Sequence, residues 1–184
     1  MLPTAWQTNR LLIEDAILSD AEAAHQCLLA CEDAAALDPA FKPVPQGEIE
    51  THISRSLQKS GSESRTFQMQ MLRLRSSGKV AGYWHFQKVP CPGKVVGISI
   101  LLFRPEFRRS GLGRELVSSA IVHFAATQQE LWARVYLANT GAIAFWASLG
   151  LLRLAKHHGA YVTSSDTQPS IILARQLHRL SADA

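Results

Sequence analysis

Val95–Phe103, Val-Val-Gly-Ile-Ser-Ile-Leu-Leu-Phe, is the longest near-continuous apolar run in the chain, and the stretch after it limits the folds available. Ten residues, Arg104-Pro-Glu-Phe-Arg-Arg-Ser-Gly-Leu-Gly113, turn the chain and open an amphipathic segment that runs to about Thr127. Apolar residues fall at Leu112, Leu116, Ala120 and Phe124, with Val117 and Ile121 beside them, the stripe of a helix buried on one side. Leu131–Ala138 then reads as a second buried strand. Strand, helix and strand of these lengths predict a right-handed crossover between parallel strands.

The turn inside this unit carries its own chemistry. Glycines between a strand and a helix leave backbone N–H groups uncovered and let a ligand approach closely. The first N–H groups of a helix lack intrahelical partners and sit at the positive end of its dipole, which makes an anion site. Arg104, Arg108, Arg109 and Arg114 crowd the same turn. A dinucleotide fingerprint is excluded because Leu116 stands where its third glycine belongs. A Walker A loop is excluded because Gly113 is followed by Arg114 and Glu115 rather than Lys and Ser/Thr. What remains, Arg108 to Gly113, reads R-x-x-G-x-G, and a plain basic helix start has the same letters.

Around this unit the elements can be read in order. Arg10–Ile17 is a short strand, and Ser19 and Glu22 have capping-box spacing before a helix that carries Ala24, Cys27, Leu28 and Cys31 on one face. Leu37–Gly47, with three prolines and Phe41, is a loop. Glu48–Leu57 places Ile49, Ile53 and Leu57 on one helical face, and Ser60-Gly61-Ser62 stops it. Thr66–Arg75 alternates Phe67, Met69 and Met71 against Gln68 and Gln70, a half-buried strand. Lys79–Val89 returns after a tight turn, with Val80, Trp84 and Phe86 opposite Tyr83, His85 and Gln87. With Val95–Phe103 these strands make an antiparallel meander. After the crossover come a short helix at Thr140–Leu149, strands at Arg153–His158 and Ser170–Leu177, and a hairpin loop at 164–168. The expectation is one α+β domain over 1–184, on a single mixed, mostly antiparallel sheet of about seven strands flanked by helices.

Charge is divided along the chain. Residues 1–64 carry a net −6 and residues 65–184 a net +10, which together give the overall +4. The first part suits a cation and the second a polyanion, unless the surface charges are segregated by chance. No apolar run approaches the roughly 18–20 residues of a membrane span, and the first residues lack the pattern of a signal peptide. Cys27, Cys31 and Cys91 form no C-x-x-C pair, so no zinc site is expected and the thiols fit a reducing compartment, by default the cytoplasm.

Asn139-Thr-Gly-Ala-Ile-Ala-Phe-Trp-Ala-Ser-Leu-Gly-Leu151 resembles the second signature of the GNAT acetyltransferase superfamily, and Arg108–Gly113 resembles its first. One helix and one strand separate the two, as in that family, and the detailed likeness covers about residues 80–177. Thr8-Asn-Arg-Leu-Leu-Ile13 followed by Ser-Asp-Ala-Glu resembles the ribosomal-protein-acetyltransferase-like branch. The resemblance implies a GNAT-like fold, with residues 1–64 on the acceptor side and 65–184 forming the sheet core and the acetyl-CoA site. It implies that the strands at 95–103 and 131–138 splay and that pantetheine pairs with backbone near Leu102 and Phe103. The N–H groups of Arg109, Ser110, Gly111, Leu112, Gly113 and Arg114 would cradle the pyrophosphate, with Arg108, Asn139, Phe145 and Trp146 completing the cofactor site. A strand N–H near Phe103 would polarise the thioester carbonyl.

Two proton transfers are then needed. The family often places a tyrosine where this chain has Trp146, and an indole N–H cannot release its proton near neutral pH. Some amino-acid-analogue acetyltransferases of the superfamily resemble this chain in their Asn…Trp pattern, which makes Asn139 an orienting group; its structural alternative is to cap the helix that starts at Thr140. Tyr136 and Tyr161 are substitute acids by residue type alone. An amine of pKa about 10 is only about a thousandth free base at neutral pH, so a base matters. His85 is the candidate by its ordinary pKa, against a purely structural role, while His157-His158 reads as an exposed strand end. The implied activity is N-acetyl transfer from acetyl-CoA, with no metal, to the primary or secondary amine of a small molecule or amino acid. A protein N-terminus or lysine is the alternative acceptor, and a non-catalytic acetyl-CoA sensor is the alternative class. Nucleic acid and membrane are not expected partners, and a homodimer is compatible with this reading.

Overall fold

The computed structural model describes residues 2–36, 44–58, 65–156, 162–165 and 168–178, with 162–165 and 168 described by backbone alone. The expectations for Pro39 and Phe41, for the stop at Ser60-Gly61-Ser62, and for His157, His158 and Tyr161 lie outside these residues. Among the described residues nine strands form one sheet: β1 (Ala5–Gln7), β2 (Leu11–Asp15), β3 (Phe67–Leu74), β4 (Val80–Lys88), β5 (Val95–Phe103), β6 (Glu130–Tyr136), β7 (Arg153–Ala155), β8 (Val162–Ser165) and β9 (Gln168–Gln176). Their order is β1-β2-β3-β4-β5-β6-β9-β7, with β8 also on β9. Only β5 and β6 run parallel, as the strand–helix–strand pattern predicts. The strands beyond the expected seven are β1, too short to show a period, and β8, whose polar residues read as the hairpin loop.

The helices α1 (Ala21–Leu29), α2 (Gln46–Leu57), α3 (Leu112–Ala125) and α4 (Thr140–Ala147) cover both faces. On one face, α1 and α2 bury Cys27, Leu28, Ile49 and Ile53 against Phe67, Met69, Met71, Tyr83 and Leu102. On the other, the α3 stripe meets Leu72, Trp84, Phe86 and Ile98, with Phe124 edge-on to Phe86 at 5.2 Å. The start of α1 differs from the capping box expected there. A 3-10 turn over Leu18–Asp20 precedes it, the Asp20 carboxylate accepts the Ile17 N–H (3.0 Å), and Glu22 instead accepts from Gln26.

The half-buried strand expected at 66–75 is buried on both faces. The N-terminal residues lie over its polar side and satisfy it: Gln70 Oε1 accepts both the Trp6 and Trp84 indole N–H groups (3.2 and 3.3 Å). Its amide nitrogen donates to Pro3 O and Asp15 Oδ1 (2.8 and 3.0 Å). Gln68 is satisfied in the same way by Leu2 and Asp15. A glutamine whose donors and acceptors are all met can be buried without the desolvation penalty of an orphan group. On β4 the register slips beside Leu72, so Val80 packs with Tyr83 instead of with Trp84 and Phe86.

Candidate active site

The site begins where two strands part. The parallel ladder between β5 and β6 runs from Val95–Glu130 to Ile98–Ala133 and stops. Beyond it β5 stays with β4 as far as Phe103–Gly82, while β6 stays with β9 as far as Tyr136–Ser170. A bulge on β5 sits at the parting point, because Ile98 faces Phe86 and Ile100 faces His85, which leaves Ser99 unmatched. Such an extra residue bends a strand away from its neighbour. The Arg104 N–H donates to Ala81 O on β4 (2.9 Å). Amide directions alternate along a strand, so the N–H groups of Phe103 and Leu101 face the gap, whereas the Leu102 backbone, expected there with Phe103, faces β4 and is replaced by Leu101. On the β4 side the backbones touch closely: a Cβ at Gly82 would lie 2.0 Å from the Leu102 carbonyl oxygen.

The basic turn closes one end of the gap. After a 3-10 turn at Pro105–Phe107, Arg109 (φ 55°) and Gly111 (φ 82°) both take left-handed backbone, and α3 starts at Leu112. Glu115 N–H is bonded to Gly111 O (3.0 Å), so the N–H groups of Leu112, Gly113 and Arg114 project unpaired from the helix end. The α4 start lies across the same cleft, where Asn139 Oδ1 accepts the Ala142 N–H (2.9 Å) as its cap. The cleft, about 760 Å³, is lined by both helix starts together with Phe103, Arg108, Arg109, Arg114, Asn139 and Phe145. Two positive dipole ends and exposed cations around one groove suit a polyanion with backbone donors, which is the chemistry of a pyrophosphate.

The four arginines divide their work. Arg109 and Arg114 are exposed at the groove, and Arg114 Nη2 reaches Ser148 Oγ (2.9 Å). Arg108 instead turns inward: its Nε donates to Phe103 O (2.9 Å) and its Nη1 pairs with the Asp33 carboxylate. Arg104 lies 2.9 Å from Glu106 and outside the cleft lining. Arg10, which the sequence did not single out, holds the back of the loop through Ser110 O (2.8 Å) and Glu115 (2.6 Å). Burial works against ionisation of Glu115, but hydrogen bonds from Thr8 and Arg10 and the Arg10 charge outweigh it and hold the carboxyl below its usual range. Ser110 faces away from the cleft, its Oγ donating to Phe107 O (2.6 Å).

A second cavity of about 450 Å³ opens on the α1 and α2 side. Leu28, Ile49, His52, Tyr83, Arg134 and Trp146 line it, and so does Leu102. The two cavities share Asp33, Leu101, Phe103, Arg108 and Asn139, so they meet at the end of β5. Trp146 is 6% exposed, packs edge-on to Phe145 at 4.9 Å and belongs to the core, with one edge on this cavity. Tyr83 is buried, which pushes its hydroxyl pKa up.

His85 is corrected from candidate base to core residue. Alternation predicted an open polar face for β4, but α1 and α2 cover it. The ring lies against Phe67 and His52 (5.1 and 5.5 Å), and neither nitrogen has a hydrogen-bond partner among the described residues. Burial, then the charges of His52 and Arg55, push its pKa down to about 3. Neither His85 nor Tyr136 lines either cavity. Asp33, His52, Tyr83 and Arg134 were missed. For His52 the readable signal was its place beside Ile49 and Ile53 on the inward face of a predicted helix.

Residues 35–151 match the sequence model of the Acetyltransferase (GNAT) family. The chain belongs to the GNAT family. It is an acyltransferase by that membership, and the family takes its acetyl group from acetyl-CoA. No curated protein matches this GNAT chain in sequence. Its fold is that of an acetyltransferase from Thermus thermophilus, with a TM-score of 0.70, 17% identity and coverage of 94% of this chain and 100% of that one. The ribosomal-protein-S18-alanine N-acetyltransferase from Escherichia coli gives 0.64 and 21%, over 95% and 98% of the two chains. A ribosomal L7/L12 alpha-N-protein acetyltransferase in complex with coenzyme A gives 0.69 and 19%, over 95% and 97%. At these identities the likeness is one of fold.

Proposed function

We propose that this GNAT acetyltransferase moves the acetyl group of acetyl-CoA onto the amine of a small molecule or amino acid by direct attack. The observation that carries this reading is the meeting of two cavities at the end of β5, one suited to a polyanion and one lined largely by apolar side chains. In this reading the N–H groups at the start of α3 hold the pyrophosphate, and Arg109 and Arg114 add charge. The gap-facing backbone of Leu101 and Phe103 pairs with pantetheine and polarises the thioester carbonyl. Arg108 anchors the Phe103 carbonyl from within the cleft. The acceptor occupies the cavity beneath α1 and α2, whose size suits an amino-acid-sized group. The cytoplasm fits such an enzyme, and no described helix is long and apolar enough to cross a membrane.

A protein N-terminus is the second reading. It draws support from the similarly folded enzymes whose names give ribosomal proteins as substrates. The test is calorimetry with acetyl-CoA followed by thiol release with amines, amino acids and short peptides. Absence of binding at micromolar protein would remove the cofactor assignment. Binding with a flat thiol trace across the whole panel would favour a sensor, and turnover of peptides alone would favour the second reading.

A further inference from the structure

Transfer to an amine needs a group that takes the ammonium proton, and the acceptor-side cavity narrows the choice. Among its described lining side chains, the arginines cannot accept a proton, and the Asp33 carboxylate is engaged by Arg108. Tyr83 keeps its own proton, since burial pushes its pKa above the usual value. His52 remains. It stands on α2 between the buried Ile49 and Ile53, half-buried, with its ring lodged against Phe67 at 6.1 Å and His85 at 5.5 Å. That aromatic seat fixes the imidazole at the cavity wall.

We propose that His52 deprotonates the acceptor amine, a role that rests on the transferase reading above. One proton passes from the acceptor ammonium to the imidazole. The free nitrogen forms the C–N bond to the acetyl carbon as the C–S bond breaks. Coenzyme A leaves as thiolate and takes the second amine proton, and His52 returns the first to water. The charged and titratable groups facing the ring are Arg55 and Glu48 on its own helix and His85 on β4. Burial first, then Arg55, lower the His52 pKa against the opposing pull of Glu48, so the ring is unprotonated at neutral pH and ready to accept.

The experiment compares His52→Gln and His52→Ala with wild type on two acceptors that differ in basicity, phenethylamine and phenylalaninamide. An alkylamine has a pKa of about 10 and an α-amine about 8, so the first depends far more on the base. At pH 7 both variants should lose about 100-fold in kcat/KM on phenethylamine. The loss should be at least about fivefold smaller on phenylalaninamide and should close on both as pH rises toward 10. Acetyl-CoA affinity, read by calorimetry, should stay within about twofold, which separates chemistry from collapse of α2. Equal losses on both amines at every pH, or no loss, would overturn the role of His52 while leaving the transferase intact. Wild-type enzyme that binds acetyl-CoA yet turns over neither amine would overturn the role and the acceptor class together.

Discussion

Gly111→Asp is the sharpest probe of the anion groove. Gly111 has φ 82° and ψ −1°, and a Cβ there would meet only the tip of the Arg10 side chain, at 3.3 Å. A non-glycine residue in left-handed backbone costs about 1–2 kcal/mol, and Asp is among the residues that tolerate it best. A carboxylate at a helix N-terminus returns about 0.3–1 kcal/mol. Net destabilisation of about 1 kcal/mol is expected, or roughly 2–4 °C in Tm for a chain of this size. The effect on the ligand is larger. A new negative charge about 5 Å from a phosphate costs between about 1 and 3 kcal/mol per unit charge, for effective dielectrics between water and a protein surface. Two phosphate charges therefore cost at least about 2 kcal/mol, roughly a 30-fold rise in the acetyl-CoA Kd. Gly111→Asn, with the same shape and no charge, should cost less than about fivefold. Calorimetry at low and high salt reads both, and the gap between Asp and Asn should narrow as salt rises. Equal affinities for the two variants, or an unchanged Kd for Asp, would mean that the pyrophosphate does not lie at the start of α3.

Other perturbations test the frame around the site. Gln70→Leu strands the indole N–H groups of Trp6 and Trp84, so it should cost about 3 kcal/mol and lower Tm by roughly 10 °C in a thermal melt. His85→Phe removes two unpartnered ring nitrogens and should raise stability at pH 7 by about 1 kcal/mol. In the wild type the folded pKa of about 3 lies below the unfolded 6.5, so holding this imidazole neutral costs progressively more stability as pH falls from 6.5 toward 3. Urea titrations from pH 7 to 4 should therefore show a shallower acid loss for the variant, by up to about 1.4 kcal/mol per pH unit; parallel slopes would contradict the burial of a neutral imidazole. Glu115→Gln should lower stability by about 1 kcal/mol at pH 7, because the ionised carboxylate holds Thr8 and Arg10. With its folded pKa depressed, that contribution is fully present above the unfolded value near 4.5 and is lost as pH falls from there through the folded pKa, so the two proteins should converge in acid melts.

The central unit was legible because its information is local. An apolar run, a glycine turn and a 3.6-residue stripe specify β5, the loop and α3 without reference to anything distant. Asn139 as a cap was readable for the same reason: its Oδ1 bonds an N–H three residues on. Alternation misled at Gln68, Gln70 and His85. Period two tells which residues share a face of a strand, but it does not tell whether a distant segment will cover the polar face. Gln68 and Gln70 are covered by residues 2–7, and His85 is covered by α2. Arg108 was legible as part of a motif, while its carbonyl partner at Phe103 and its acid at Asp33 were not, because the latter lies 75 positions away.

The donor side of this protein is written in its amino-acid order. The loop from Arg108 to Gly113 and the segment from Asn139 to Leu151 resemble the GNAT signatures and lie within the residues that match the family, and backbone N–H groups at a helix start need no partner from elsewhere to attract phosphate. Which side chains line the second cavity was decided by packing alone. The wall of that cavity draws on α1, α2, α4, β4–β6 and the segment around Asp33, and a residue's place on it depends on how helices lie across a sheet. The same packing moved His85 into the core and brought His52 to the cavity. Backbone geometry is encoded in short segments, whereas burial, and with it the pKa of a histidine, is a property of the whole fold.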